Sequence, residues 1–420
     1  MLTSLAVILV LCCLNSGQSL HSKEWQSKVE ETVKKHNIVP SRDLSDIIDK
    51  LPGIDCSVKP DWPGPRFNFD FSCDVLQPSD KIPTSVHRLR PSDIKVIAAI
   101  GDSLTAASGA MACFLPELLY EYRGRTFSHG GDISFEKNPT LANIFRKYNP
   151  DLKGYGNSTG PWDSVNAGMN VGEPGAKAYE TVQQARNLVE KMKLTPSIDY
   201  ENDWKLVTLF IGGNDICDWC NDVEFFHPDM FVDYIRQTLT ILHDEMPRTF
   251  VNVISPLQVD AMRVLRSEVC DIFHYIFCPC VINVDDKQLI KAQQTTEAYQ
   301  RQLGQLINSG YFDGKEDFTV VLQPFFEETV VPVLEDGSPD YTYFAPDCFH
   351  LSSKGHASAG QELWNNMESP YLYTNINSEL YDMPLPTDDP VNMPLPGTAA
   401  RLFFNVTNIV IVAILQLLIN

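Results

Sequence analysis

The stretch Lys95-Val-Ile-Ala-Ala-Ile-Gly101-Asp102-Ser103-Leu104-Thr105 constrains this chain more than any other, because an apolar run breaks at a glycine and delivers a serine. Small and β-branched residues from Val96 to Ile100, with no alternating polar face, read as a strand buried on both sides. Gly101 gives the backbone freedom to turn sharply out of it. Ser103 then stands at the carboxyl end of a strand, the edge where open α/β sheets bind ligands. Asp and Ser are also preferred helix starters, so the stretch alone leaves two readings, a nucleophile and a helix cap.

Further strand-like runs, 206–211, 249–254 and 318–322, alternate with amphipathic stretches at 178–193, 229–245, 289–309 and 353–367. Such alternation predicts a parallel sheet covered by helices on both faces, a three-layer α/β/α sandwich. No Gly-x-Gly-x-x-Gly or P-loop follows the first strand, which sets a nucleotide-binding reading aside. The formal charge of −21 repels nucleic acid and anionic bilayers alike, so no nucleic-acid partner is expected.

Three later stretches fall where elements end. Gly212-Gly-Asn214-Asp215 follows an apolar run, and Asn214 carries an amide donor suited to an oxyanion, although an Asx turn would look the same. Val165 to Ala176 is a Gly-rich turn before a helix, where the N–H of Gly172 or Gly175 is a candidate second donor. Asp347-Cys-Phe-His350 spaces a carboxylate and an imidazole so that one orients the other as a general base. His356 is a rival base, but it falls in a predicted helix without a matching Asp.

In order, Gly-Asp-Ser-Leu, the glycine turn, Gly-x-Asn-Asp and Asp-x-x-His resemble the four blocks of the GDSL or SGNH hydrolases. The resemblance implies a flavodoxin-like sheet, with Ser103 as nucleophile and Asp347 and His350 as orienter and base. It also implies an oxyanion hole from the Ser103 N–H, the Gly175 N–H and the Asn214 side chain, and no metal or other cofactor. Thr105 stands two residues after the serine, so this is not a Gly-x-Ser-x-Gly elbow. The longer runs 97–106, 209–222, 317–327 and 344–356 look like the membrane-associated phospholipase B group, with one catalytic unit here where mammalian members carry several. That likeness implies phospholipid and lysophospholipid substrates and a chain expected to act as a monomer. A carbohydrate or general carboxyl esterase on the same scaffold, and a catalytically silent surface binding protein, remain the alternatives.

The ends read as address and tether. Residues 1–19 carry an apolar run followed by small polar residues, a secretory signal. Residues 20–90 are expected to pack as an extension on a catalytic domain at 91–370. A Pro-rich stalk at 371–400 leads to an apolar end at 401–420, which reads as a lipid (GPI) anchor signal and so a membrane-surface partner, with a single transmembrane helix as its rival. Asn157 and Asn405 open glycosylation sequons. Of eleven cysteines, nine remain once the signal is removed, an odd number in an oxidising compartment. Cys56 and Cys73 flank a Pro-rich passage they could staple, and Cys217, Cys220, Cys270, Cys278, Cys280 and Cys348 are further disulfide candidates. Cys217-x-x-Cys220 and Cys278-Pro-Cys280 would also suit a thiolate zinc site, but disulfides fit a secreted chain better.

Overall fold

A computed structural model describes residues 71–367, apart from positions 72, 74, 76, 114 and 283. The signal, stalk and anchor readings, Cys56 and Asn405 therefore lie outside the described residues.

Four parallel strands, β1 (Ile94–Gly101), β2 (Trp204–Phe210), β3 (Thr249–Ile254) and β4 (Phe318–Gln323), pair in chain order. Ala99, Thr208, Asn252 and Val321 stand in one row across them. Side chains alternate between two cores, as period 2 requires. Val96, Ala98 and Ile100 of β1 and Val207 and Leu209 of β2 face one core. That core is closed by α3 (Ala178–Lys193), α5 (Pro228–Glu245) and α7 (Asp286–Ile307). Ile97, Leu206, Phe210 and Phe250 face the other, closed by α2 (Leu141–Tyr148) and α8 (Ser353–Met367). The three-layer α/β/α sandwich is thus what the strand and helix alternation predicts.

Outside β1 the place of a further strand is taken by a looped segment that touches it through isolated bridges. Val96 bridges Lys153 and Ala99 bridges Asn170, both in parallel. Counting that segment second restores the flavodoxin-like order implied by the family resemblance. It carries no regular ladder, so no periodic apolar run announces it.

Among the described residues, the sequence reading gave no bounds for α2 or for three elements beside the site. Two of these are α4 (Gly213–Asp218) and α6 (Glu268–Phe277); the third, α1 (Ser103–Ala106), is the short helix expected after the glycine turn, its bounds alone unread. Before β1, Phe71 stands edge-on to Phe135 and Tyr148, and the Trp204 indole donates to the Pro83 carbonyl.

The cysteine motifs join one another rather than a metal. Cys217 pairs with Cys278, Cys220 with Cys280 and Cys270 with Cys348. Cys113, which the sequence reading did not count among the disulfide candidates, is also disulfide-bonded. No described helix is long and apolar enough to cross a membrane.

Candidate active site

All the candidate groups sit at the carboxyl edge of the sheet, which is where chain reversals leave room for a ligand. β1 ends at Gly101, and a Cβ there would collide with the Thr105 hydroxyl and the Phe210 carbonyl, so only glycine passes. Asp102 caps α1 by accepting from the Leu104 N–H at 2.9 Å. The cap is therefore Asp102, and the Ser103 hydroxyl is left for another partner.

That partner is His350, whose Nε2 lies 2.9 Å from Ser103 Oγ. On the far side of the ring, His350 Nδ1 lies 2.6 Å from Asp347 Oδ2. The other Asp347 oxygen accepts from the Phe349 and His350 N–H groups, both at 3.0 Å, so the carboxylate shapes the turn and aims the imidazole at once. Burial works against a charge on either side chain. Their mutual attraction outweighs it, holding the Asp347 carboxyl below and the His350 imidazole above its ordinary range.

His356 is removed as a rival base. It is fully buried, its Nδ1 accepts from the Phe127 N–H, and burial pushes its pKa down to about 3.

Asn214, the second residue of α4, lines the same cleft as Ser103. Its Nδ2 donates to the Ala176 carbonyl at 2.9 Å, which uses one amide hydrogen and leaves the other for a ligand. The same bond ties α4 to the turn holding Gly175, whose φ of +81° requires glycine. Gly172, the rival donor, spends its N–H on Asn170 Oδ1 at 3.0 Å and is packed against Thr105.

Asp102, Ser103 and Asn214 open onto one cleft. Beyond Asp102, Ser103 and Asn214 its walls are mostly apolar, with Leu257, Met262, Phe326, Phe344 and Phe349 among them. Asp102 is the charged group on that wall; burial lifts its carboxyl to about 6. Such a site can activate a serine, receive an apolar chain and hold a developing oxyanion. Among the described residues, no cluster of His, Cys, Asp and Glu is placed to hold a metal ion.

Residues 97–363 match the model of the GDSL-like Lipase/Acylhydrolase family. The chain belongs to that family. Among curated relatives, membrane-associated Phospholipase B1 of Homo sapiens is 46% identical over 313 residues, covering 73% of this chain and 22% of that protein. Its counterpart from Rattus norvegicus is 46% identical over 308 residues, covering 71% and 21%. The chain thus spans about a fifth of the length of these relatives. Among solved structures, a putative GDSL-like lipase from Parabacteroides merdae aligns over 70% of this chain and 98% of its own, at 12% identity and a TM-score of 0.37. At that score the likeness adds nothing to the family assignment.

Two supports of the site escaped sequence reasoning. Gln184 of α3 bonds both backbone groups of Gly101. Asn170 accepts from the Gly172 N–H and the buried Arg123 and donates to the Thr105 carbonyl. For Gln184 a signal existed: it sits among Thr181, Ala185 and Leu188, a polar residue inside the buried stripe of its helix.

Proposed function

We propose that this chain hydrolyses acyl esters of phospholipids and lysophospholipids through an acyl-Ser103 intermediate, tethered by its C-terminal tail to the outer face of a membrane. The observation that carries the chemistry is the unbroken line from Ser103 Oγ through His350 to Asp347 at the wall of an apolar cleft. Ser103 Oγ attacks the ester carbonyl while His350 Nε2 takes its proton, and Asp347 steadies the imidazolium. The N–H groups of Ser103 and Gly175 and the free amide hydrogen of Asn214 receive the oxyanion. His350 then returns its proton to the departing alcohol oxygen, releasing lysolipid or glycerophospho-alcohol. A water that gives a proton to His350 attacks acyl-Ser103, the proton passes to Ser103 Oγ, and fatty acid leaves.

The apolar walls favour a fatty acyl chain over the acetyl group of a sugar ester. Similarity to membrane-associated Phospholipase B1 supports the same substrate class. An exposed Asn157 within its sequon accords with a secreted chain.

The test is product analysis on a phospholipid with two distinguishable acyl chains, with wild type and Ser103→Ala. Wild type should release fatty acid and lysolipid, and the variant should lose at least about three orders of magnitude in rate. Undiminished hydrolysis by the variant would sink the reading. For the tether, enzymatic cleavage of lipid anchors should free the activity from cells, and retention would favour a transmembrane helix.

A further inference from the structure

One helix grips the turn that carries the base. α6 presents Cys270, His274 and Phe277, spaced i, i+4 and i+7 and so on one face, and all three meet residues 348–350. Cys270 is disulfide-bonded to Cys348. His274 Nε2 lies 2.9 Å from the Cys348 carbonyl, to which it donates. The Phe277 ring stands edge-on to the His350 imidazole, with centroids 5.5 Å apart. The turn needs such support, because Cys348 has a φ of +57° without being glycine. A non-glycine residue in that region persists only where its surroundings over-determine it.

The other end of α6 is tied just as firmly. It runs into Cys278 and Cys280, whose disulfides reach Cys217 in α4 and Cys220 just beyond it. α4 is the helix that carries Asn214, so a single braced segment spans the distance between the base and the candidate oxyanion donor. His274 is also an odd choice for filler. Its ring is fully buried, its Nδ1 has no hydrogen-bond partner, and burial holds its pKa below the ordinary histidine value. An apolar side chain would fill the space without an unmet ring nitrogen, but it could not donate to the Cys348 carbonyl.

We propose that α6 positions the general base, with His274 and Phe277 as positioning residues that act through Cys348 and His350 without touching substrate. The inference rests on reading Ser103, His350 and Asp347 as the catalytic set. His274 holds the Cys348 carbonyl, the disulfide holds the side chain of the same residue, and Phe277 limits the tilt of the imidazole. Together they hold His350 Nε2 at hydrogen-bond distance from Ser103.

The test is steady-state hydrolysis of a lysophospholipid by the full chain carrying His274→Ala, His274→Gln or Phe277→Leu, with Ser103→Ala as control. A misplaced catalytic group costs rate rather than binding, so His274→Ala should lower kcat by about tenfold to a hundredfold while KM changes by less than about twofold. His274→Gln, whose amide nitrogen reaches the same carbonyl, should recover most of that loss. Phe277→Leu, which keeps the volume but not the flat ring edge, should lower kcat by about tenfold at unchanged KM. If His274→Ala fails to fold, Phe277→Leu and His274→Gln decide the matter in its place. Wild-type kcat in His274→Ala or in Phe277→Leu overturns the positioning role, as does a loss in folded His274→Ala that Gln does not repair. Activity persisting in Ser103→Ala would instead overturn the catalytic reading beneath it.

Discussion

Gln184 holds Gly101 by both of its backbone groups: its Oε1 accepts from the Gly101 N–H and its Nε2 donates to the Gly101 carbonyl, each at 2.9 Å. The carbonyl has a second donor in the Glu173 N–H, but the Gly101 N–H depends on the glutamine. Gln184→Leu keeps the volume and orphans that buried N–H, at a cost of about 1–3 kcal/mol. A domain of this size loses about 2–4 °C of melting temperature per kcal/mol. Because Gly101 lies two residues before Ser103, kcat should fall more than KM rises. Thermal melts and steady-state kinetics on the same preparation check both halves.

Asn214 is expected to act on the transition state rather than on substrate binding. Asn214→Ala removes the side-chain donor proposed for the oxyanion, a loss of about 10²–10³ in kcat by the usual worth of such a group. It also releases the Ala176 carbonyl and with it the turn around Gly175. Gly175→Ala separates the two effects. A Cβ at Gly175 meets nothing within 4 Å, so any loss there comes from forcing alanine to a φ of +81° and moving its N–H. Acylation rates measured by single turnover should fall in both variants, more steeply for Asn214→Ala.

Most of the sheet was legible because its strands are apolar on both faces and stop at glycines or prolines. Ala178–Lys193 and Ser353–Met367 run over the spans their periodicity predicts. The candidate site was legible for a different reason: Ser103, Asn214, Asp347 and His350 each follow a break in the chain, in types that the proposed chemistry uses. What escaped was whatever depends on distant partners. α6 reads as an apolar stretch between cysteines, and only the three disulfides reveal why it lies where it does. Gln184 and Asn170 serve backbone groups far along the chain, at Gly101 and Thr105, which no local pattern encodes.

The pairing of Asp347 with His350 sets the direction of the pH dependence. As the proposed base, His350 must be neutral to accept the serine proton, and its pKa stands above the ordinary 6.5 because Asp347, and to a smaller degree Asp102, outweigh the effect of burial. The acid limb of kcat/KM should therefore inflect above 6.5, with activity rising as pH rises through it. Asp347→Asn leaves burial unopposed by that charge, so the limb should move to lower pH. The rate should fall by about 10³–10⁴, since the imidazole loses both its orientation and its counter-charge. Asp102→Asn should shift the limb the same way by less. A pH–rate profile of the three proteins checks the order.

Asp215, the residue after Asn214, should make the fold itself sensitive to pH. It is buried beneath the site, and its two oxygens accept from the N–H of Ala178, the first residue of α3, at 3.1 and 3.2 Å. Burial lifts its carboxyl from 3.8 to about 7; Lys177 pulls it down and Asp102 pushes it up. A carboxyl with a raised folded-state pKa binds its proton more tightly folded than unfolded. Its contribution is therefore full below about pH 4, declines as pH rises, and is gone above about pH 7. The difference amounts to a few kcal/mol, at about 1.4 kcal/mol per unit. Asp215→Asn keeps an acceptor for Ala178 and removes the charge, so it should flatten this slope. Urea unfolding at pH 5 and pH 8 should show wild type losing more stability between the two than the variant does. Equal losses would mean that Lys177 neutralises the carboxylate in place.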